Sequence, residues 1–260
     1  MSPRRVPEGP APLPAVQKLR VRYAKRGRLR FSSTRDFQRA LERALRRADV
    51  PMAFSAGFHP HPRISYANAA PTGTASEAEY FEMSVTERVD PYAVRTALDA
   101  ALPPGLDVLE VVEAAPGALA DRLQASDWVI AFRDVPAETL AQAASRFLEQ
   151  GHVEVTRMMK TGPRTFDVRG AVLSLVVAPA GGGGPWAWTG HGGECAILRV
   201  VVRHTTPAVR PDDILTALHV VADLEAPTPP LVTRLAQGPL RGATAAVADP
   251  LAADEEAVGT

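Results

Sequence analysis

Apolar residues along this chain recur at two alternating periods, near two and near 3.6 residues, the signatures of strands and of amphipathic helices. Leu19, Val21 and Tyr23 stand at every second position, and Leu29 and Phe31 resume the pattern, so Lys18–Phe31 is predicted to be a strand or a hairpin around Gly27. The period then lengthens. Phe37, Ala40, Leu41, Ala44, Leu45 and Ala48 make one stripe, predicting a helix over Thr34–Asp49 with Thr34 as its N-cap. Strands follow over Pro51–Tyr66, in irregular form, and over Glu79–Thr86. Asp90 should cap a helix carrying Val94, Ala97, Leu98 and Ala101, which Pro103-Pro104-Gly105 ends, and Leu106–Val112 is the last strand. This βαββαβ order is the ferredoxin-like pattern, an antiparallel sheet covered on one face by two helices.

The second half repeats the order less clearly. Strands are predicted at Asp127–Phe132, Val153–Met159, Thr165–Val177, Ala196–Val202 and Leu231–Leu235, and helices at Pro136–Glu149 and Asp212–Val221. Pro179–Gly193 is dominated by glycine and reads as a hairpin tip carrying Trp186 and Trp188. The fold class expected is therefore α+β, with two ferredoxin-like domains at residues 18–114 and 120–240. Residues 1–17 and 241–260 have few large apolar side chains and are expected to be disordered tails.

Composition narrows the chemistry. With 260 residues, 46% of them hydrophobic, the chain can bury one large core or two domains. A single cysteine, Cys195, excludes an intrachain disulfide and any all-cysteine metal or cluster site built from this chain. No apolar run approaches the roughly 20 residues that span a bilayer, and residues 1–17 lack an apolar signal core, so a cytoplasmic location is expected.

A net charge of zero hides an asymmetry. Residues 18–50 hold twelve Lys/Arg and only Asp36, Glu42 and Asp49 as acidic residues. On the predicted helix Arg35, Arg39 and Arg43, with Arg46 or Arg47, share the face opposite the apolar stripe, while Lys18, Arg20 and Arg22 should point together from one strand face. So much charge of one sign suits a polyanion such as nucleic acid. A solvated face or an acidic protein partner would use the same residues.

The run from Phe54 to Ala67 contains Ser55, Gly57, Phe58, His59, Pro60, His61, Pro62 and Arg63, and its prolines and glycine predict a stiff loop that positions something. His59 and His61 could hold a metal. No acidic residue except Asp49 lies within fifteen positions on either side and the other histidines are scattered, so neither metal nor cofactor is expected. No CxxxCxxC, Walker A, GxGxxG or GxSxG is present, and no catalytic residue is assigned. Lys160-Thr-Gly-Pro-Arg164-Thr-Phe-Asp167-Val-Arg169 is a glycine turn flanked by cations, suited to a phosphate, although Asp167 and Arg169 could instead form an internal salt bridge. His59, Arg63, Lys160, Arg164, Asp167 and Arg169 are the candidate ligand- or phosphate-binding set, expected to meet between the two domains.

The phrase Phe54-Ser-x-Gly-Phe-His-Pro-x-Pro-x-Ile-Ser, followed by Pro71-x-Gly73 and Ser76-x-x-Glu79-Tyr80, resembles the radical-SAM-associated domain of unknown function. Arg22-Tyr-x-Lys-x-Gly, Phe31-Ser-x-x-Asp36 and Lys160-Thr-Gly with Phe166-Asp167-Val168-Arg169 extend the resemblance over about residues 17–235. It implies a domain fused behind cobalamin-binding radical SAM proteins in some bacteria and separate in others, with a radical SAM partner in trans here. Gene neighbourhoods in actinobacteria, near a ribonuclease and ribosomal proteins, associate the family with RNA metabolism. The function expected is a non-catalytic accessory module that binds RNA or a ribonucleoprotein surface. A stand-alone enzyme or nucleotide-binding protein with a pocket of His59, Arg63, Glu79, Lys160 and Asp167, or a protein-interaction adaptor, are the alternatives.

Overall fold

In a computed structural model of the chain, residues 12–179, 195–242 and 245–258 are described. The chain divides into two compact units, one holding the residues up to Ala120 together with the segment from Leu251 onward, the other Asp121–Pro250. Both are mixed α+β, with antiparallel sheets and helices packed on them.

The first unit runs β1 (Gln17–Lys25), α1 (Thr34–Arg47), β2 (Ile64–Ala67), β3 (Ala75–Val85), α2 (Pro91–Ala101) and β4 (Leu106–Glu113). Its strands lie in the order β4-β1-β3-β2, every neighbour antiparallel. Alternation along β1 sends Leu19, Val21 and Tyr23 into a core with Phe81, Met83 and Val85 of β3, Phe37, Leu41 and Leu45 of α1, and Val94 and Leu98 of α2. Val21 stands opposite Phe81 on one side and Val111 on the other. The Tyr23 and Phe37 rings stack at 4.2 Å, joining β1 to α1. Burying each such side chain is worth roughly 1.5–3 kcal/mol.

A helical turn, α3 (Leu119–Arg122), leads on to the second unit. There β5 (Ala125–Arg133), α4 (Ala137–Glu149), β6 (Glu154–Met159), β7 (Gly162–Asp167), β8 (Val172–Pro179), β9 (Cys195–Arg203), α5 (Pro211–Ala222) and β10 (Leu231–Gly238) follow in turn. The main strands lie in the order β10-β5-β9-β8, again antiparallel, so fourth-first-third-second recurs once the separate β6–β7 hairpin is set aside. Ile130, Phe132, Ile197 and Leu198 of the sheet, Leu140 and Phe147 of α4 and Ile214 and Leu218 of α5 are all buried.

Several boundaries differ from expectation. No hairpin forms at Gly27. Its φ of +52° starts a 3-10 turn over Gly27–Phe31 that leads into α1, while the Arg26 N–H donates to the Gly105 carbonyl. The N-cap of α1 is Ser33, one residue before Thr34, because Ser33 and Asp36 complete a reciprocal capping box. The expected strand Thr165–Val177 is two strands, β7 and β8, separated by a 3-10 turn at Arg169–Ala171. Residues 241–260 were expected to be a disordered tail, yet they include β12 (Ala246–Val247), paired with β11 (Leu240–Arg241), and the helix α6 (Ala252–Val258). The α6 segment is anchored by Leu251 and Asp254, both fully buried, and the Asp254 carboxylate lies 2.5 Å from an Arg20 guanidinium nitrogen. Gln17, assigned by the same reasoning to the N-terminal tail, is the buried first residue of β1 and bonds to Val89 and Glu113. Trp186 and Trp188 lie outside the described residues, as do residues 1–11 of the N-terminal tail.

Candidate nucleic-acid interface

Helix α1 is built to present arginine. Phe37, Leu41, Ala44 and Leu45 are buried, and at about 100° per residue this leaves Arg35, Arg39, Arg43 and Arg46 within an arc of roughly 80° on the outer side, over about 16 Å of helix. All four are exposed. Among the described residues none of them forms an ion pair within 4.0 Å. Arg47, at the edge of the arc, donates to the Ala101 carbonyl at 3.2 Å. The helix start is fixed by hydrogen bonds from the Ser33 hydroxyl and amide to Asp36, which hold that carboxyl below its ordinary range, with the charges of Arg39 and Arg35 adding to the effect.

The cations of β1 are arranged differently, and this corrects their assignment to a nucleic-acid surface. Arg20 is fully buried, donating to Glu82 at 2.9 Å, to Asp254 at 2.5 Å and to the Gly117 carbonyl at 2.5 Å. Arg22 pairs with Glu110 at 3.3 Å, and Lys18, half exposed, with Glu82 at 3.6 Å. Lys25 is buried, its ammonium donating to the Ala70 and Pro71 carbonyls, and Arg26 bonds Glu77 and Asp107. Strand alternation correctly set Lys18, Arg20 and Arg22 on one face. That face is closed at Arg20, where Asp254 of α6 lies against it, while Arg22 and Lys18 stand beside carboxylates at its more open ends.

The loop singled out between Phe54 and Tyr66 is held at its base. Ala53 N–H donates to Ser84, Arg63 N–H to Ala53, Ser55 N–H to His61 and His61 N–H to the Ser55 hydroxyl, all at 2.8–3.0 Å. Its tip, with Gly57 at φ +133°, leaves Phe58, His59, Pro60, His61 and Arg63 exposed. Among the described residues no group of three His, Cys, Asp or Glu side chains is placed to hold a metal.

Hollows adjoin α1 at both ends. One, of about 20 Å³, is lined by Tyr23, Lys25, Ser33, Phe37, Tyr66 and Glu79 and has room for about one water. It gathers several residues of the sequence motif, including buried Glu79 and Tyr80. Glu79 accepts the Ala70 N–H at 3.0 Å, and burial, with Glu42 adding to it, pushes the Tyr66 hydroxyl up to about 12. The other hollow is a groove of about 260 Å³ along the opposite end of α1, formed by Glu42, Leu45, Arg46 and Asp49 with Val50, Met52, Phe54 and Pro62. Sequence reasoning missed Glu42 and Asp49, since the groove exists only when the loop folds back on the helix.

In the second unit, Lys160 and Arg164 are exposed on the β6–β7 hairpin. Asp167 is occupied locally, and this corrects the phosphate-site expectation for it. Burial opposes its ionisation, but the N–H groups of Val153, Gly170 and Arg169 outweigh burial and hold its carboxyl below the ordinary range. A Cβ at Gly170 would lie 2.6 Å from an Asp167 oxygen, which is why glycine stands there. The Arg169 guanidinium does not pair with Asp167. It donates to the Val172 and Leu148 carbonyls and lies 5.8 Å from the Phe147 ring, so it serves the packing of this unit. His59 and Arg63 belong to one unit and this turn to the other.

No curated protein matches the sequence. Among solved structures, the chain is similar to one in a crystal structure of a Cbf5-Nop10-Gar1 complex, at 10% identity and a TM-score of 0.46, covering 86% of this chain and 50% of that one. It thus spans about half the length of that match. A second likeness is to CRISPR endoribonuclease Cse3 bound to 19 nt RNA, at 15% identity and a TM-score of 0.22, covering 84% of this chain and 99% of that one. Neither score supports an inference, and the fold rests on the strand order itself. The family model described as "Uncharacterized protein conserved in bacteria (DUF2344)" matches residues 18–211, most of the chain and all of α1, and the chain belongs to that family.

Proposed function

We propose that this protein is a non-catalytic accessory module that binds RNA through the outer face of α1 and presents it to a partner chain. One observation carries the reading: Arg35, Arg39, Arg43 and Arg46 stand on one exposed arc with no ion pair among the described residues, whereas Arg20, Arg22 and Arg26 of the same unit are paired with carboxylates. Unpaired arginines in one row are the arrangement a phosphate backbone neutralises, releasing its counterions. We take the partner to be a radical SAM protein in trans, on the sequence resemblance, and each unit to be a ferredoxin-like domain, on the recurring fourth-first-third-second strand order.

The test is binding of a fluorescein-labelled single-stranded RNA to the full chain, followed by anisotropy over a salt series. Log affinity should fall linearly with log salt, and the triple variant Arg35→Glu, Arg39→Glu, Arg43→Glu should lose binding while keeping its circular dichroism. A triple variant that binds as tightly as the parent removes the reading.

A further inference from the structure

The groove beside α1 differs in chemistry from the arginine arc it adjoins. Its floor and wall are apolar, from Leu45, Val50, Met52, Phe54 and Pro62, and Phe54 keeps 44% of its surface exposed. Its rim carries two carboxylates, Glu42 and Asp49, neither in an ion pair among the described residues, and Arg46 stands where groove and arc meet. Asp49 is held at φ +52° immediately after the helix, and the Val50 N–H closes onto the Leu45 carbonyl at 3.1 Å, so the backbone carrying the Asp49 carboxylate is fixed. At about 260 Å³ the groove is just below the size of a pocket for a drug-sized ligand and suits a single ring system.

We propose that this groove takes one unstacked base of a single-stranded RNA, with guanine preferred. The proposal rests on the RNA-binding reading above and names what that surface selects. A phosphate is repelled by Glu42 and Asp49 and is drawn to the adjacent arginines, so the strand lies along the arc and only a base turns inward. An aromatic and apolar wall offers the base a face to stack on, which is how single strands are bound by proteins. The carboxylates choose the base, because an ionised carboxylate only accepts hydrogen bonds. Guanine offers two adjacent donors on its Watson–Crick edge, the ring N1–H and the exocyclic N2 amino group, which fit the two oxygens of one carboxylate. Cytosine and adenine offer an amino donor beside a ring acceptor. Uracil places one N–H between two carbonyl oxygens that a carboxylate repels. The order expected is guanine first, then cytosine and adenine, then uracil.

The experiment uses four labelled decamers, U10 and U10 with its fifth residue replaced by guanosine, inosine or cytidine, titrated into the full chain at fixed salt. Guanosine should tighten binding about tenfold over U10, and inosine, lacking the N2 amino group, should recover only part of that gain. Phe54→Ser should bring all four Kd values together without changing the salt dependence. Glu42→Gln, a change at an incompletely buried surface position that preserves size, should cut the guanosine preference even if Phe54→Ser fails to fold. Equal Kd values for the four oligonucleotides, or a guanosine preference untouched by Glu42→Gln, would overturn the groove's assignment while leaving RNA binding by the arc intact. Equal Kd values together with saturable binding of an arginine-bearing peptide that Glu42→Gln weakens would give the groove to a protein partner instead. Failure of all four oligonucleotides to bind would take away the function itself, and the groove with it.

Discussion

Two basic clusters lie within thirty residues of each other in this chain and do opposite work. On β1, Arg20 is closed in by Glu82 and Asp254, Arg22 by Glu110, and Lys25 by the Ala70 and Pro71 carbonyls. On α1, Arg35, Arg39, Arg43 and Arg46 face solvent. The local charge surplus that marks residues 18–50 therefore counts two different things, a set of cations consumed in holding the unit together and a set left over. Only the second can attract a partner at long range. The first is held by carboxylates from β3, β4 and α6, and its loss is felt as stability.

The largest difference between the clusters should appear in unfolding. Arg20→Ala leaves the Asp254 carboxylate buried without its guanidinium, and removal of one partner of a buried pair costs about 3–5 kcal/mol. Arg39→Ala, at an exposed position, should stay within about 0.5 kcal/mol of the parent. Urea denaturation measures both, and an Arg20→Ala midpoint equal to that of Arg39→Ala would mean that the clusters do not differ as described.

RNA binding should reverse the ranking. Each phosphate neutralised on a single strand contributes about 0.7 to the log–log salt slope, so Arg35→Ala, Arg39→Ala and Arg43→Ala together should flatten it by about 2. Lys18→Ala and Arg22→Ala should leave the slope within error, because Glu82 and Glu110 already neutralise those cations. A slope shared equally between strand and helix would refute the division.

A pH series separates charge that is always present from charge that switches. Arginine stays charged across the whole accessible range. In the second unit, the His204 ring lies 2.8 Å from the Ser126 hydroxyl and 2.7 Å from the Leu123 carbonyl. Burial, joined by the charge of Arg234, outweighs the Leu123 contact and depresses its pKa. The unfolded chain then takes up the proton more readily, so stability is full above the unfolded value of about 6.5 and declines as pH falls below it. RNA affinity of the folded protein should stay flat over that window while the melting temperature drops, and His204→Gln should remove part of the drop.

Among the paired cations the smallest effect belongs to Arg26, whose pairs with Glu77 and Asp107 are part exposed. Arg26→Ala should cost less than about 1 kcal/mol, and less still at high salt. A loss as large as that of Arg20→Ala would show that exposure does not govern what these pairs are worth.

Periodicity made much of this legible in the sequence. The stripe from Phe37 to Ala48 gave α1 nearly to its ends, and the alternation of Leu19, Val21 and Tyr23 put those side chains in the core. Alternation also put Arg20 and Arg22 on one face correctly, but it is silent on what covers that face. The cover comes in part from Asp254, 234 positions away, in a segment too short and polar to register as part of a core. The split at Asp167 was hidden for a related reason: three backbone N–H groups around one carboxylate make a turn that apolar periodicity passes over. Glu42 and Phe54 share no pattern at all, and the groove between them is a product of the loop folding back.

The closure of Arg20 by Asp254 also sets an order of events during synthesis. The whole of Asp121–Pro250 is translated after the first unit's sheet and before α6, and at about 5–20 residues per second that interval is on the order of ten seconds. Through it, the Arg20 guanidinium has Glu82 but not Asp254, so of these two units the one translated earlier is completed later. A nascent chain stalled at Pro250 should therefore carry a first unit that is easier to cleave with protease than the same unit after release.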